Sequence, residues 1–170
     1  MTERTPIWLR ALGWLLLLPI PLVGILPWWL HRRLEGPLVF SGHWGQWLGL
    51  WLILNGLGLA GWCAFLFITE GKGTPFPLDP PKQFVAKGPY RFVRNPMMLG
   101  MFLVLVGQAA LYGSVAVVLY TLLVSFGMCL FVYLVEEPDL ARRFGSAYFA
   151  YRQQVPRWVP RPISGAPQAK

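Results

Sequence analysis

Two short segments hold most of the residues able to do chemistry. The first, GPYRFVRNPMMLG at 88–100, offers Arg91, Arg94 and Asn95 just before an apolar run. The second, VEEPDLARRFGSAYFAYRQQVPRWVPR at 135–161, opens with the adjacent carboxylates Glu136 and Glu137 just after the next apolar run. Only a hairpin of two apolar stretches lies between them, so both segments return to the same boundary between water and an apolar phase. Ionisable groups at that depth are costly unless they serve a ligand or one another, which makes the pair a candidate site. Pro138 lacks an N–H and disfavours helix in the residue before it, so a break or bend is expected at the acidic pair. Carboxylates at such a helix end meet an unfavourable dipole, which a cation offsets. Arg91, Arg94, Arg142, Arg143 or a cationic ligand can fill that role. Successive helical residues point about 100° apart, so Glu136 and Glu137 are not expected to touch the same atom.

The elements that position these groups follow from composition. Of 170 residues, 55% are hydrophobic and 13% charged, which predicts one membrane domain with no separate soluble one. A bilayer crossing takes about 20 apolar residues, and four stretches qualify: about 7–30, 44–69, 97–112 and 114–135. The third is short for a full crossing. The first follows Arg4 and Arg10 as a signal peptide would, but Pro27, Trp28, Trp29 and Leu30 stand where small residues of a cleavage site belong, so it reads as a retained span. The expected fold is therefore all-α: a polytopic integral-membrane helical bundle of about four transmembrane helices with short cytosolic helices. As a single domain over 1–170 it divides into two N-terminal spans (1–69), a loop (70–96), a helical hairpin (97–135), a C-terminal segment (136–163) and a tail (164–170).

Charge sets the expected orientation. With four spans, the N-terminus, the 70–96 loop and the C-terminal segment share one side, and thirteen of the fifteen Lys and Arg residues fall there; only Arg32 and Arg33 lie opposite. Positive charge collects on the cytoplasmic face, so both termini and both chemical segments are expected in the cytoplasm. The net charge of +8 reads as orientation and attraction to anionic lipid of the bilayer, not as a nucleic-acid surface, because the charges are scattered among membrane-flanking segments. Trp28, Trp29, Trp44 and Trp47 form the interfacial belt on the other side. Gly45 with Gly49, and Gly56 with Ala60, make small-xxx-small steps for close helix packing. Cys63 and Cys129 read as buried apolar thiols and His31 and His43 as interface residues, with no metal site. Six prolines between 70 and 97, mixed with Phe84, Val85, Tyr90 and Phe92, predict an ordered lid on the membrane surface.

The first segment resembles the GPY-R-x-x-R-[HN]-P-x-x-x-G signature of the isoprenylcysteine carboxyl methyltransferase and phospholipid methyltransferase superfamily. EEPDLARRFGSAYFAYRQQVPRWVPR resembles that superfamily's acidic-pair, FG-x-x-Y-x-x-Y and VPR tail, and GKGTPFPLDPPKQFVAKGPY is similar to the lead-in of bacterial members. The resemblance covers about half the chain and implies S-adenosylmethionine as methyl donor, held between the two segments on the cytosolic side of a bacterial inner membrane. Carried over by position, it assigns donor binding to Gly88, Tyr90, Asn95, Pro96, Gly100, Glu137, Tyr148, Tyr151 and Arg152, and catalysis to Arg94 and Glu136. Asn95 stands where the eukaryotic carboxyl methyltransferases have His, and Met98 where Tyr is usual. Asn replaces one imidazole hydrogen bond but does not titrate near neutral pH, so position 95 carries no proton.

Methyl transfer from a sulfonium is largely a matter of holding the nucleophile in line and close. A carboxylate or thiolate attacking it cancels charge, which a water-poor site favours. Arg94 offers a two-pronged contact for a carboxylate, and a hydrophobic or lipid-like acceptor can arrive from the bilayer. The expected activity is therefore methylation of a carboxylate or thiol on such an acceptor. Amine methylation of a phospholipid headgroup is the alternative; it needs a base, and Glu136 or Glu137 is the choice at hand. A non-catalytic carrier or assembly factor on the same fold is the alternative of another class, and it need not bind S-adenosylhomocysteine. No motif fixes the oligomeric state.

Overall fold

The computed structural model describes residues 6–74 and 80–160. Those residues form helices and irregular connections, the longest of them between Thr69 and Pro96, with no strand among the described residues. The first apolar stretch is not one uniform helix. α1 (Ile7–Leu17) leads into a π-helical turn (Ile20–Ile25) and then α2 (Leu26–Leu34), so helix persists past the expected end at residue 30. Proline explains the interruption. Leu26 N–H bonds back to Pro21 O, one residue beyond the α-helical partner, and Pro27 has no N–H to give Val23 O. The two carbonyls left over are taken by side chains from other helices: Gln108 Nε2 donates to Val23 O at 2.6 Å, and the Tyr120 hydroxyl to Leu22 O at 2.6 Å. Inside a bilayer no water would satisfy them, so these bonds fix the first span against the rest.

α3 (Trp44–Thr69) is 26 residues long and crosses α4 (Pro96–Tyr112) almost backbone to backbone. A Cβ on Gly56 would sit 2.5 Å from Gly100 O, and one on Gly49 2.6 Å from Gly107 O. Gly49 and Gly56 thus pack as the small-residue steps predict, while a Cβ on Gly45 would come no closer than 4.0 Å to Ala110 O. At 17 residues α4 is about 25 Å long. It is also the most enclosed helix, with Val104, Leu105, Gly107 and Gln108 buried. Gly113 in the left-handed region (φ +61°) ends α4, and Ser114 caps α5 (Val115–Phe131) by accepting from Val117 N–H.

Helix does not stop at the acidic pair. α5 passes through a π-helical turn (Val132–Glu136) directly into α6 (Glu137–Gln154). The wider turn absorbs the missing N–H of Pro138, so the expected break becomes a change of pitch, and the carboxylates lie within a continuous helix, not at its C-terminus. The kink falls instead at Gly145 (φ 49°, ψ −126°). Up to that kink the helix runs without a break over 115–144, about 45 Å, which is longer than the hydrocarbon is thick. Only its apolar part, 115–135, can lie in lipid; the polar segment begins at Glu136.

Two helices, Trp44–Thr69 and that beginning at Val115, are long and apolar enough to cross a membrane, and Pro96–Tyr112 is a shorter apolar helix. Trp44, Trp51, Leu54 and Phe65 on α3, with Leu119, Leu122 and Phe126 on α5, point outward. An outer surface so apolar belongs in lipid, and the protein is an all-α membrane bundle. At the end of the bundle remote from the two chemical segments, Ser114 Oγ donates to Glu35 Oε1 at 2.6 Å, and buried His31 stacks on Tyr112. His31 thus packs inside this end of the bundle, with its Nδ1 3.4 Å from Glu35 Oε2. Cys63 is a free buried thiol and Cys129 a free, half-buried one.

Candidate active site

The two chemical segments meet. Backbone N–H of Arg94 donates to Pro156 O at 2.9 Å, Asn95 Nδ2 to Arg157 O at 3.4 Å, and the Tyr151 hydroxyl to Tyr90 O at 2.6 Å. The first segment is shaped by a short 3₁₀ turn (Gly88–Arg91). Its Gly88 adopts φ +56°, a conformation that favours glycine, and an added Cβ would also press on Leu66 Cδ1 at 3.0 Å. The 80–87 strip closes over the junction. Lys82 N–H donates to Gly71 O at 2.7 Å, and Phe84 enters an aromatic cluster with Phe144, Tyr148 and Tyr151. Residues 75–79 of the expected lid lie outside the described residues.

A cavity of about 1040 Å³ opens at this junction. Its floor carries Tyr90, Arg94, Asn95, Glu136, Tyr148 and Tyr151. Its other end runs between the first span and α5, past Leu22, Val23, Leu123 and Met128. Met97, Met98 and Met101 line it from α4; thioethers shape themselves to irregular apolar ligands. Asp139, Arg142 and Arg143 also border it, with Arg142 and Arg143 paired to Asp139. Arg143 further donates to Pro81 O, tying the strip to α6.

The acidic pair divides its work. Glu137 is buried and bound by two arginines: Arg157 donates through Nε to Oε1 at 2.9 Å and through Nη2 to Oε2 at 2.6 Å, while Arg94 Nη1 lies 2.9 Å from Oε1 at an angle short of a hydrogen bond. Glu136 has no such partner. The residue as a whole is half-buried, yet its Oε2 is sealed and unbonded. Burial, and then the adjacent Glu137 charge, push its carboxyl up to about 7. Arg94 Nε and the Tyr148 hydroxyl are likewise buried with no hydrogen bond of good geometry, although Arg94 lies close enough to Tyr148 to interact with its phenol. Burial also raises the Tyr90, Tyr148 and Tyr151 phenols, so all three stay neutral donors.

The phospholipid methyltransferase family model matches residues 43–147. The chain belongs to that family. No curated protein and no solved structure matches it. Membership makes this a membrane methyltransferase of the isoprenylcysteine carboxyl and phospholipid type, and gives the junction its meaning.

For this methyltransferase, the residues assigned by resemblance now separate. Tyr90, Arg94, Asn95, Glu136, Tyr148 and Tyr151 line the cavity. Gly88, Pro96, Gly100, Glu137 and Arg152 do not. Gly100 packs against Gly56 O and Ala60, Glu137 is enclosed by its arginines, and Arg152 is exposed. Of the expected partners for the acidic pair, Arg94 alone reaches Glu137; Arg142 and Arg143 turn to Asp139. Arg157 received no role from the sequence, although it sits in the VPR tail. The methionine lining was equally unassigned, and its one signal was the run of Met97, Met98 and Met101 on the helix after Pro96.

Proposed function

We propose that the protein transfers a methyl group from S-adenosylmethionine to a lipid-like acceptor, at a site open to the cytoplasm and to the bilayer. The observation that carries this reading is the set of orphaned polar atoms in one cavity: Glu136 Oε2, Arg94 Nε and the Tyr148 hydroxyl. Each is buried, where an unmade bond is costly. Together they offer one anionic acceptor and two donors, the complement of an amino-acid end with its ammonium and carboxylate. S-adenosylmethionine has that end, so the residues fit the donor. It supplies an activated methyl on a sulfonium when bound. The chain's own part is binding and orientation: Glu136 faces a cation, Arg94 and Tyr148 face an anion, and the apolar walls exclude water.

The acceptor follows from what is left. With Glu136 given to the donor and Glu137 held by two arginines, no free base remains, which favours a nucleophile already anionic or readily ionised, a carboxylate or thiol on a hydrophobic molecule. The apolar arm past Leu22, Leu123 and Met128 suits such a molecule arriving from lipid. A second reading, methylation of a phospholipid amine, is favoured by the family description and by the near-neutral Glu136, which would take the proton.

Profiling of lipids and small molecules in membranes given isotopically labelled donor, with and without the protein, tests both. Label in an ester or thioether is the expected result. Label confined to phosphatidylethanolamine products establishes the second reading, and no protein-dependent label rejects enzymatic methyl transfer.

A further inference from the structure

α3 presents a second face, mostly apolar and with one amide, that no other part of the described chain covers. Leu48, Trp51, Asn55, Gly58, Trp62 and Phe65 follow one another at alternating steps of three and four, and all are exposed. That spacing is compatible with a helix pairing with another at a period of 3.5 residues. The seam is separate from the α4 crossing made by Gly49 and Gly56, and Phe67 is the α3 residue that lines the cavity, so pairing here leaves the active site free.

The amide of Asn55 decides what covers the seam. It lies eleven residues from Trp44 and fourteen from Thr69 in the 26-residue helix. That is about 16 and 21 Å from the ends, deep in hydrocarbon and beyond headgroups or water. Its Nδ2 donates to Trp51 O at 2.7 Å, which uses one of two N–H groups; among the described residues no donor reaches Oδ1. Lipid tails offer neither a donor nor an acceptor. Two copies in one membrane share an orientation, so their α3 helices meet in parallel and Asn55 meets Asn55 across a two-fold axis. Each amide then gives its remaining N–H to the other's Oδ1, and both are satisfied. A Cβ at Gly58 would meet nothing within 4 Å, so the space needed for a second backbone is present one turn away.

We infer that the protein forms a parallel homodimer through the Asn55–Gly58 seam of α3. The test is energy transfer between full-length chains carrying donor or acceptor fluorophores, co-reconstituted in lipid vesicles over a series of protein-to-lipid ratios. The wild type is expected to transfer well above the level of random proximity. Asn55→Leu, which keeps the shape and removes the amide, should move the monomer–dimer midpoint about tenfold toward higher protein density. Gly58→Leu, which has open space within its own chain, should weaken pairing by blocking close approach. Transfer at the random level in the wild type, as expected if lipid or a different protein covers the seam, overturns the dimer. So does a wild-type midpoint in either variant, with helical content checked by circular dichroism.

Discussion

Arg157 grips Glu137 from twenty residues further along the chain, with Nε on one carboxylate oxygen at 2.9 Å and Nη2 on the other at 2.6 Å. The same stretch of backbone accepts from Arg94 N–H and Asn95 Nδ2, so one strap holds both chemical segments in register. Glu137 thereby becomes the fixed point from which Glu136 is aimed into the cavity. Arg157→Ala leaves a buried carboxylate with Arg94 as its one remaining partner, and should lower unfolding stability by about 3 kcal/mol, the low end for a broken buried pair. Arg157→Lys keeps the charge without the fork and should recover only part. Detergent-solubilised thermal unfolding reads this directly, and an unchanged midpoint in Arg157→Ala would show the grip to be dispensable.

The meeting of the two segments was legible in the sequence, because a hairpin with so little polar loop leaves its ends no other place to go. The membrane class followed from apolar runs alone. What stayed hidden depends on partners distant in sequence. Pro27 marks an interruption, but nothing local says that Gln108 takes the carbonyl it frees. Pro138 reads as a helix breaker, yet a π-helical turn carries the chain through it. Adjacent Glu136 and Glu137 look equivalent in sequence and differ because Arg157 and Arg94 both reach Glu137 and not Glu136.

The α3–α4 crossing separates glycines that touch from glycines that do not. Gly56→Ala would push a Cβ to 2.5 Å from Gly100 O and 2.9 Å from Val104, both unable to yield without moving a helix, whereas Gly61 has nothing within 4 Å. Gly56→Ala should therefore cost about 1–3 kcal/mol through overpacking, while Gly61→Ala, in open space, should be neutral or slightly stabilising through helix propensity. The comparison uses the same unfolding assay, and equal stability of the two variants would contradict so close a crossing.

Orientation is open to a direct check. The excess of Lys and Arg on the side of the 70–96 loop predicts that Lys82→Cys and Ser146→Cys are shielded from an impermeant external thiol reagent in intact cells, and that Ser41→Cys reacts. The substitutions belong in a background with Cys63 and Cys129 changed to Ala. Labelling of position 82 or 146 with sparing of 41 would invert the topology.

The proposed donor site makes Glu136 a link between donor binding and pH. Burial, and then the Glu137 charge, disfavour its ionised form and push its carboxyl up to about 7. Below that pH it is neutral and offers a cation little; above it the carboxylate is ready to pair. Affinity for S-adenosylhomocysteine, whose ammonium is the cation concerned, should therefore rise from pH 6 to pH 8 and level off beyond. Glu136→Gln keeps the shape, removes the charge, and should bind ten- to a hundredfold more weakly at pH 8, as expected from about 1.5–3 kcal/mol for one charge-assisted hydrogen bond. Its affinity should also vary little with pH over the same range. Calorimetry across that range decides the matter: a wild-type affinity independent of pH, or a Glu136→Gln variant that binds as tightly as the wild type at pH 8, would remove Glu136 from the donor site and leave Arg94 and Tyr148 to account for any binding.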